Sequence, residues 1–238
     1  MSISSIKENA LFVADAHYPH HGNEFLELLK ALEKKTLETP QLFLMGDIFD
    51  LLFGYNKYIQ TFSKEAIELL QKLSNSMEII YLEGNHDFCL QELFPNIKVY
   101  SRAEQPVQYQ LKGQSVYLSH GDKYETGFGY NLYTKILRNR LTLLLLKPFE
   151  NAIIDHRIRK LKEKKICKKF TNYKKRFEAI CTHYPKDALV IEGHFHQALV
   201  HKNYISLPSF ACQRKVAIVK DGGLKFMSID ILKKYTIA

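Results

Sequence analysis

Gln41-Leu42-Phe43-Leu44-Met45-Gly46-Asp47-Ile48-Phe49-Asp50 joins a short apolar run to a glycine and two carboxylates. An unbroken apolar run of this length, bounded by turn residues, reads as a strand buried on both faces. A carboxylate just past its carboxyl end lies where open α/β sheets hold their ligands. The arrangement recurs on either side. Ala10 to Ala14 leads into Asp15-Ala16-His17, Met77 to Leu82 into Gly84-Asn85-His86-Asp87, and Ser115 to Leu118 into Ser119-His120-Gly121-Asp122. A fifth motif, Gly193-His194-Phe195-His196, comes late in the chain.

Helices fit between the early strands. Asn23 is placed to cap a helix in which Phe25, Leu28, Leu29 and Leu32 share one face, and Ser63 to Leu73 carries Ile67, Leu70 and Leu73 at the same spacing. Strand–helix alternation implies an α/β sheet. Later strands are expected at Val107 to Leu111, Ala188 to Ile191, Leu199 to Ile205, Lys215 to Val219 and Leu224 to Ile229, with hairpins turning at Lys112-Gly113 and Asp221-Gly222. The expected fold is therefore two mixed sheets packed as a sandwich with helices outside, forming one domain over 1–238.

Residues 123–184 interrupt this pattern and are expected to form a helical insertion. Gly127 and Gly129 open it, and Tyr130 to Phe149 and Asn151 to Ile180 read as two or three helices broken at Pro148. Ile153, Ile154, Ile158 and Leu161 make an apolar stripe, with Arg157, Arg159, Lys160, Lys162, Lys164 and Lys165 around it. Residues 123–180 hold sixteen Lys or Arg against five acids, whereas the rest of the chain holds 18 against 20. The positive excess of the whole chain thus sits in one segment, as in surfaces that meet phosphates or anionic lipid.

Cysteines 89, 167, 181 and 212 show no paired spacing, so neither a zinc knuckle nor a disulfide framework is expected and a reducing cytoplasm fits. The polar start, Met1 to Asn9, has no signal-peptide pattern. The longest apolar run, Leu141 to Leu146, falls far short of the ~20 residues that span a bilayer.

Carboxylate, amide and imidazole together suit Mn²⁺, Fe²⁺ or Zn²⁺ better than ions that prefer sulfur. In its order Asp-x-His, Gly-Asp-x-x-Asp, Gly-Asn-His-Asp, His, Gly-His-x-His, the chain resembles the calcineurin-like metallophosphoesterases. That resemblance implies a four-layer sandwich and two divalent metal ions, Mn²⁺ first among them. Asp15, His17, Asp47 and His196 would hold one ion, and Asp47, Asn85, His120 and His194 the other. Two cations clamp the attacking and leaving oxygens of an in-line displacement at phosphorus. His86 would act on the leaving oxygen with Asp87 orienting it, while Asp50 and Asp122 would hold loops and ligand tautomers. His20, His21, His156, His183 and His201 match no motif and are expected at the surface or in loops.

Within that family the layout is similar to the lipid A branch, the UDP-2,3-diacylglucosamine hydrolases. The likeness implies a pyrophosphate substrate with acyl chains, an amphiphilic nucleotide-sugar lipid, met peripherally at the cytoplasmic face of the inner membrane by a monomer that binds no nucleic acid. Asn85, His86, Asp122, Tyr130, Arg157 and Lys164 are the expected polar contacts, and Leu141, Leu145 and Ile154 the expected lining for acyl chains. One position departs. The principal lineage of that branch has Gly-Asn-Arg-Asp where this chain has Gly84-Asn85-His86-Asp87, which leaves open a phosphodiesterase or phosphatase acting on soluble nucleotides or nucleic acid.

Overall fold

The apolar runs that lead into the motifs become strands, and their alternation places one sheet between two cores. This computed structural model describes residues 3–124, 136, 145, 147–167 and 170–230. In chain order the strands are β1 (Leu11–Val13), β2 (Gln41–Leu44), β3 (Leu52–Phe53), β4 (Glu78–Leu82), β5 (Asp87–Phe88), β6 (Lys98–Tyr100), β7 (Val107–Leu111), β8 (Gln114–Ser119), β9 (Leu189–Glu192), β10 (Leu199–His201), β11 (Tyr204–Ser206), β12 (Lys215–Lys220) and β13 (Gly223–Ser228). The helices are α1 (Glu24–Glu33), α2 (Lys57–Thr61), α3 (Lys64–Leu73), α4 (Glu150–Glu163), α5 (Tyr173–Cys181) and α6 (Phe210–Gln213).

Sheet 1 runs β13-β12-β1-β2-β4-β6 and sheet 2 runs β10-β11-β9-β8-β7. Both are mixed: β1, β2, β4 and β6 are parallel while β12 and β13 are antiparallel, and β9 is parallel to both neighbours while β7 and β10 are not. Leu11 and Val13 of β1 pack toward Phe25, Leu28 and Leu29 of α1. Phe12 and Ala14 point the other way, into a second core with Phe43, Ile80, Tyr109, Leu118 and Ile191. The outer face of sheet 2 is covered by Phe177 and Ile180 of α5 against Val190 and Tyr204. The order is therefore helix, sheet, sheet, helix.

Local chemistry explains the corners. Lys112-Gly113 and Asp221-Gly222 both take positive φ, which gives the hairpin twist that the two-residue turns require. Leu199 to Ile205, expected as one strand, is instead β10 and β11, folded back at Lys202-Asn203 with Lys202 left-handed. Neither glycine nor proline marks that turn, and the apolar residues on both sides of it read as one run. Asn23 and Ser63 precede α1 and α3 but accept no side-chain capping bond, whereas Asn56 accepts from the Ile59 N–H at the start of α2.

Within 123–184, Pro148 lies in a short 3₁₀ turn, Lys147–Phe149, that leads into α4. Ile154 and Ile158 join the core cluster on the helix side of sheet 1, and Tyr58 Oη donates to Asp155 Oδ1 at 2.8 Å. Its described helices thus pack on both helical layers, α4 on one and α5 on the other, while most of the helix expected over Tyr130 to Phe149 lies outside the described residues. No helix among the described residues is long and apolar enough to cross a membrane. The cysteine spacing also misled: Cys167 and Cys212 are disulfide-bonded, bridging 45 positions, while Cys89 and Cys181 form no disulfide. Only folding brings that pair together.

Candidate dimetal centre

Asp15, Asp47, Asn85 and His120 stand just past the carboxyl ends of β1, β2, β4 and β8, and His194 and His196 follow β9. Sheet 1 supplies the first three and sheet 2 the rest. Two groups of side chains converge there, Asp15 with His17 and His196, and Asp47 with His120 and His194, the potential ligand atoms of each group lying within 4.8 Å of one another. Asn85 Oδ1 lies 3.3 Å from His120 Nε2, which is 3.1 Å from His194 Nδ1 and 3.5 Å from Asp47 Oδ2. His196 Nε2 lies 3.3 Å from Asp15 Oδ1. All seven expected ligands are therefore in one cluster.

The backbone bends to achieve this. Asp15, His17, Asp47, His194 and His196 all have φ between 46° and 63°, the left-handed region that non-glycine residues avoid. Each costs on the order of 1 kcal/mol or more, and such residues gather where side chains must be aimed. Glycines provide the room beside them. A Cβ on Gly46 would collide with the His120 ring, and one on Gly84 with the Asp47 carboxylate and N–H. The glycines in those motifs let side chains from neighbouring loops pass at backbone level.

The electrostatics suit cations. Burial pushes Asp47 up, but His120, His86 and His17 outweigh it and hold its carboxyl well below the usual range. Asp15 behaves alike, with burial overcome by His196 and His120. Burial lowers His120, yet Asp47 pulls it well above an ordinary histidine. Burial and the neighbouring His120 lower His194 to about 4, leaving it neutral and able to ligate. Asp15 Oδ1 is buried with no hydrogen-bond partner among the described residues. A buried carboxylate oxygen in that state, in an oxygen-and-imidazole set, is what a divalent metal would satisfy. The residues fit the two ions that the motifs implied.

The surrounding residues depart from expectation in several places. His86 is buried, its N–H donating to Asp47 Oδ1 at 2.9 Å and its Nδ1 lying 2.7 Å from the Asp50 carbonyl, which fixes the ring through Nδ1. Burial lowers it. Asp87 does not orient that imidazole. Its carboxylate accepts from the N–H groups of Asp47, Ile48, Phe49 and Gly84 and from Tyr81 Oη, at 2.6 to 3.2 Å, and so pins the second motif to the third. Asp122 pairs with Arg102, whose Nε donates to Oδ2 at 2.6 Å and whose Nη2 donates to its carbonyl. Ile154, expected to line an acyl groove, is only 3% exposed because the core has taken it. Leu145 is 78% exposed, and Arg157 and Lys164 are also exposed. Tyr130 and Leu141 lie outside the described residues.

Two histidines that matched no motif belong here. His20 and His21 both approach the buried Asp50 carboxylate through Nδ1, at 3.2 and 2.7 Å, beside His17 at 3.4 Å. His21 Nε2 lies 3.2 Å from the Lys164 carbonyl, linking that carboxylate to the end of α4. Only their closeness in sequence to His17 hinted at this.

Residues 9–198 match the family model described as calcineurin-like phosphoesterase, and the chain belongs to that family. It is a metal-dependent phosphoesterase with a candidate two-metal centre. Among curated proteins it is similar to the UDP-2,3-diacylglucosamine hydrolase of Pseudomonas entomophila strain L48, at 26% identity over 204 residues covering 81% of this chain and 83% of that one. The protein of the same name from Pseudomonas putida strain F1 is 26% identical over 208 residues, with the same coverage. A solved dimetal phosphatase from Danio rerio is 12% identical and superposes on 90% of this chain and 93% of its own with a TM-score of 0.43.

Proposed function

We propose that the chain hydrolyses the pyrophosphate of UDP-2,3-diacylglucosamine, giving UMP and 2,3-diacylglucosamine 1-phosphate, with Mn²⁺ as the metal. The observation that carries this reading is the run through α4. Exposed apolar Leu145, Phe149 and Ile153 lead into the helix, exposed Arg157, Lys160 and Lys164 follow along it, and its C-terminal end is joined through His21 to Asp50 beside the metal cluster. An acylated nucleotide sugar offers both apolar chains and phosphates to such a surface. The names of the Pseudomonas relatives agree with it.

In this reading residues 123–184 form a lid within a single domain. Asp15, His17, Asp47 and His196 would hold one ion, and Asp47, Asn85, His120 and His194 the other. When bound, the ions polarise phosphoryl oxygens and acidify water. His86, fixed by the Asp50 carbonyl, presents Nε2 to exchange a proton with the reacting oxygen. Arg157 and Lys164 hold phosphate charge, and Leu145 meets an acyl chain. The same surface would rest on the cytoplasmic face of the inner membrane, each basic residue contributing about 1 kcal/mol near anionic lipid. That compartment would expose the Cys167–Cys212 bridge to cellular thiols.

Purified protein with Mn²⁺ should release UMP from this substrate, measured by chromatography, and absence of UMP across several divalent metals would end the proposal. His86, standing where the lipid A lineage has Arg, favours a second reading as a phosphodiesterase for soluble substrates. Under that reading, hydrolysis of bis-p-nitrophenyl phosphate persists and acylated substrate is ignored.

A further inference from the structure

The geometry points to Arg176 as a positioning residue that sets the affinity of the His120–His194 metal site, an inference that rests on the two-metal reading above. Arg176 lies in α5, within the basic segment, yet it is 6% exposed while its neighbours Lys174 and Lys175 are both exposed. Its Nη2 donates to the Gly121 carbonyl at 2.9 Å and pairs with Glu192 Oε2 at 2.9 Å, and its Nη1 donates to Tyr204 Oη. The guanidinium carbon sits 3.5 Å over the centre of the Phe195 ring. That ring meets His194 edge-on, with centroids 4.8 Å apart.

These partners flank the ligands. Gly121 follows His120, Glu192 comes two residues before His194, and Phe195 comes directly after it. Glu192 also accepts from Ser119 Oγ at 2.9 Å and Tyr204 Oη at 2.7 Å, and Ser119 precedes His120. One planar cation therefore ties the loop after β8 to the loop after β9, at the point where they must bring His120 and His194 together.

A buried ion pair is weak evidence for stability, because apolar residues of similar volume often do as well. What an apolar side chain could not do is hold a carbonyl, a carboxylate and a ring face at once in fixed directions. A guanidinium can, since its donors form a rigid plane that also stacks on aromatic faces. Partners that orient metal ligands typically change affinity about 10–100-fold when lost. Arg176 is placed to do this through both loops.

The test is calorimetric titration of chelator-stripped protein with Mn²⁺. Wild type should bind two ions. Arg176→Met, and the double variant Arg176→Met/Glu192→Gln that strands no buried carboxylate, should weaken one site by about tenfold or more while the other stays within about twofold. Arg176→Lys keeps the charge but not the fork, and should show the same one-site defect. In each variant, turnover should recover as Mn²⁺ is raised. Two wild-type affinities in the double variant, with only its melting temperature lowered, would make Arg176 a plain structural support and overturn the inference. A wild type that binds fewer than two Mn²⁺ would overturn the two-metal reading itself and this inference with it.

Discussion

Replacing Asp87 with Asn changes one atom and should cost a large part of the stability of this protein. The carboxylate is fully buried and accepts five hydrogen bonds: Oδ1 takes the N–H groups of Asp47 and Gly84, and Oδ2 takes those of Ile48 and Phe49 and the Tyr81 hydroxyl. An amide keeps one acceptor oxygen. Whichever way it turns, its NH₂ faces two backbone N–H donors that the carboxylate had accepted. Each buried donor left without a partner costs about 1–3 kcal/mol, so the loss should be about 2–6 kcal/mol. The stranded groups belong to the turns carrying Asp47 and Asn85, so activity should fall along with stability. Urea unfolding followed by circular dichroism, with Mn²⁺ held constant, gives the free energy directly. A loss below about 1 kcal/mol would refute this account of how the second and third motifs are joined.

Three further outcomes are expected. If each ion is held at about 100 times its dissociation constant, chelation should remove about 5 kcal/mol of stability and lower the melting temperature by some 10–20 °C, and an unchanged calorimetric scan would refute metal occupancy. Ile154→Ala should destabilise by about 2–5 kcal/mol because that side chain is core; Leu145→Ser should leave stability within ~0.5 kcal/mol yet raise KM for an acylated substrate, and equal effects on both would refute the division of roles. Denatured without reductant, the chain should titrate as two thiols, Cys89 and Cys181, and four at the outset would refute the bridge; on a loop-entropy basis, the Cys167→Ser/Cys212→Ser variant should lose up to about 4 kcal/mol.

What could be read from the chain was what is local. A strand ending in glycine and a carboxylate is a pattern of a few residues, and so is a Lys-Gly or Asp-Gly turn. Those gave the sandwich and both hairpins, and the family resemblance carried by the five motifs gave the seven residues that gather at the site. The Asp50–His20–His21 cluster, the Arg102–Asp122 pair, the Arg176 network and the Cys167–Cys212 bridge join residues separated by many positions, with no spacing rule to mark them. Role assignment failed for a related reason. Asp87 and Asp122 lie beside ligands in sequence, but a side chain one residue further along leaves on another face, and there backbone N–H groups and Arg102 claim them. Ile154 looked available because periodicity shows which residues share a face, not whether a core or a ligand covers that face.

The order of the motifs along the chain also sets a timetable. Asp15 and the His194 N–H that donates to it are 179 positions apart, and His196 comes two residues later still. At about 5–20 residues per second, the ribosome adds that length in roughly 10–35 seconds. Throughout that interval the emerging chain carries Asp15, His17 and Asp47 without the histidines that complete either group. Completion of either ligand group is therefore a late event in the synthesis of the chain, and an ion held by a full group would enter only after the fifth motif clears the ribosome.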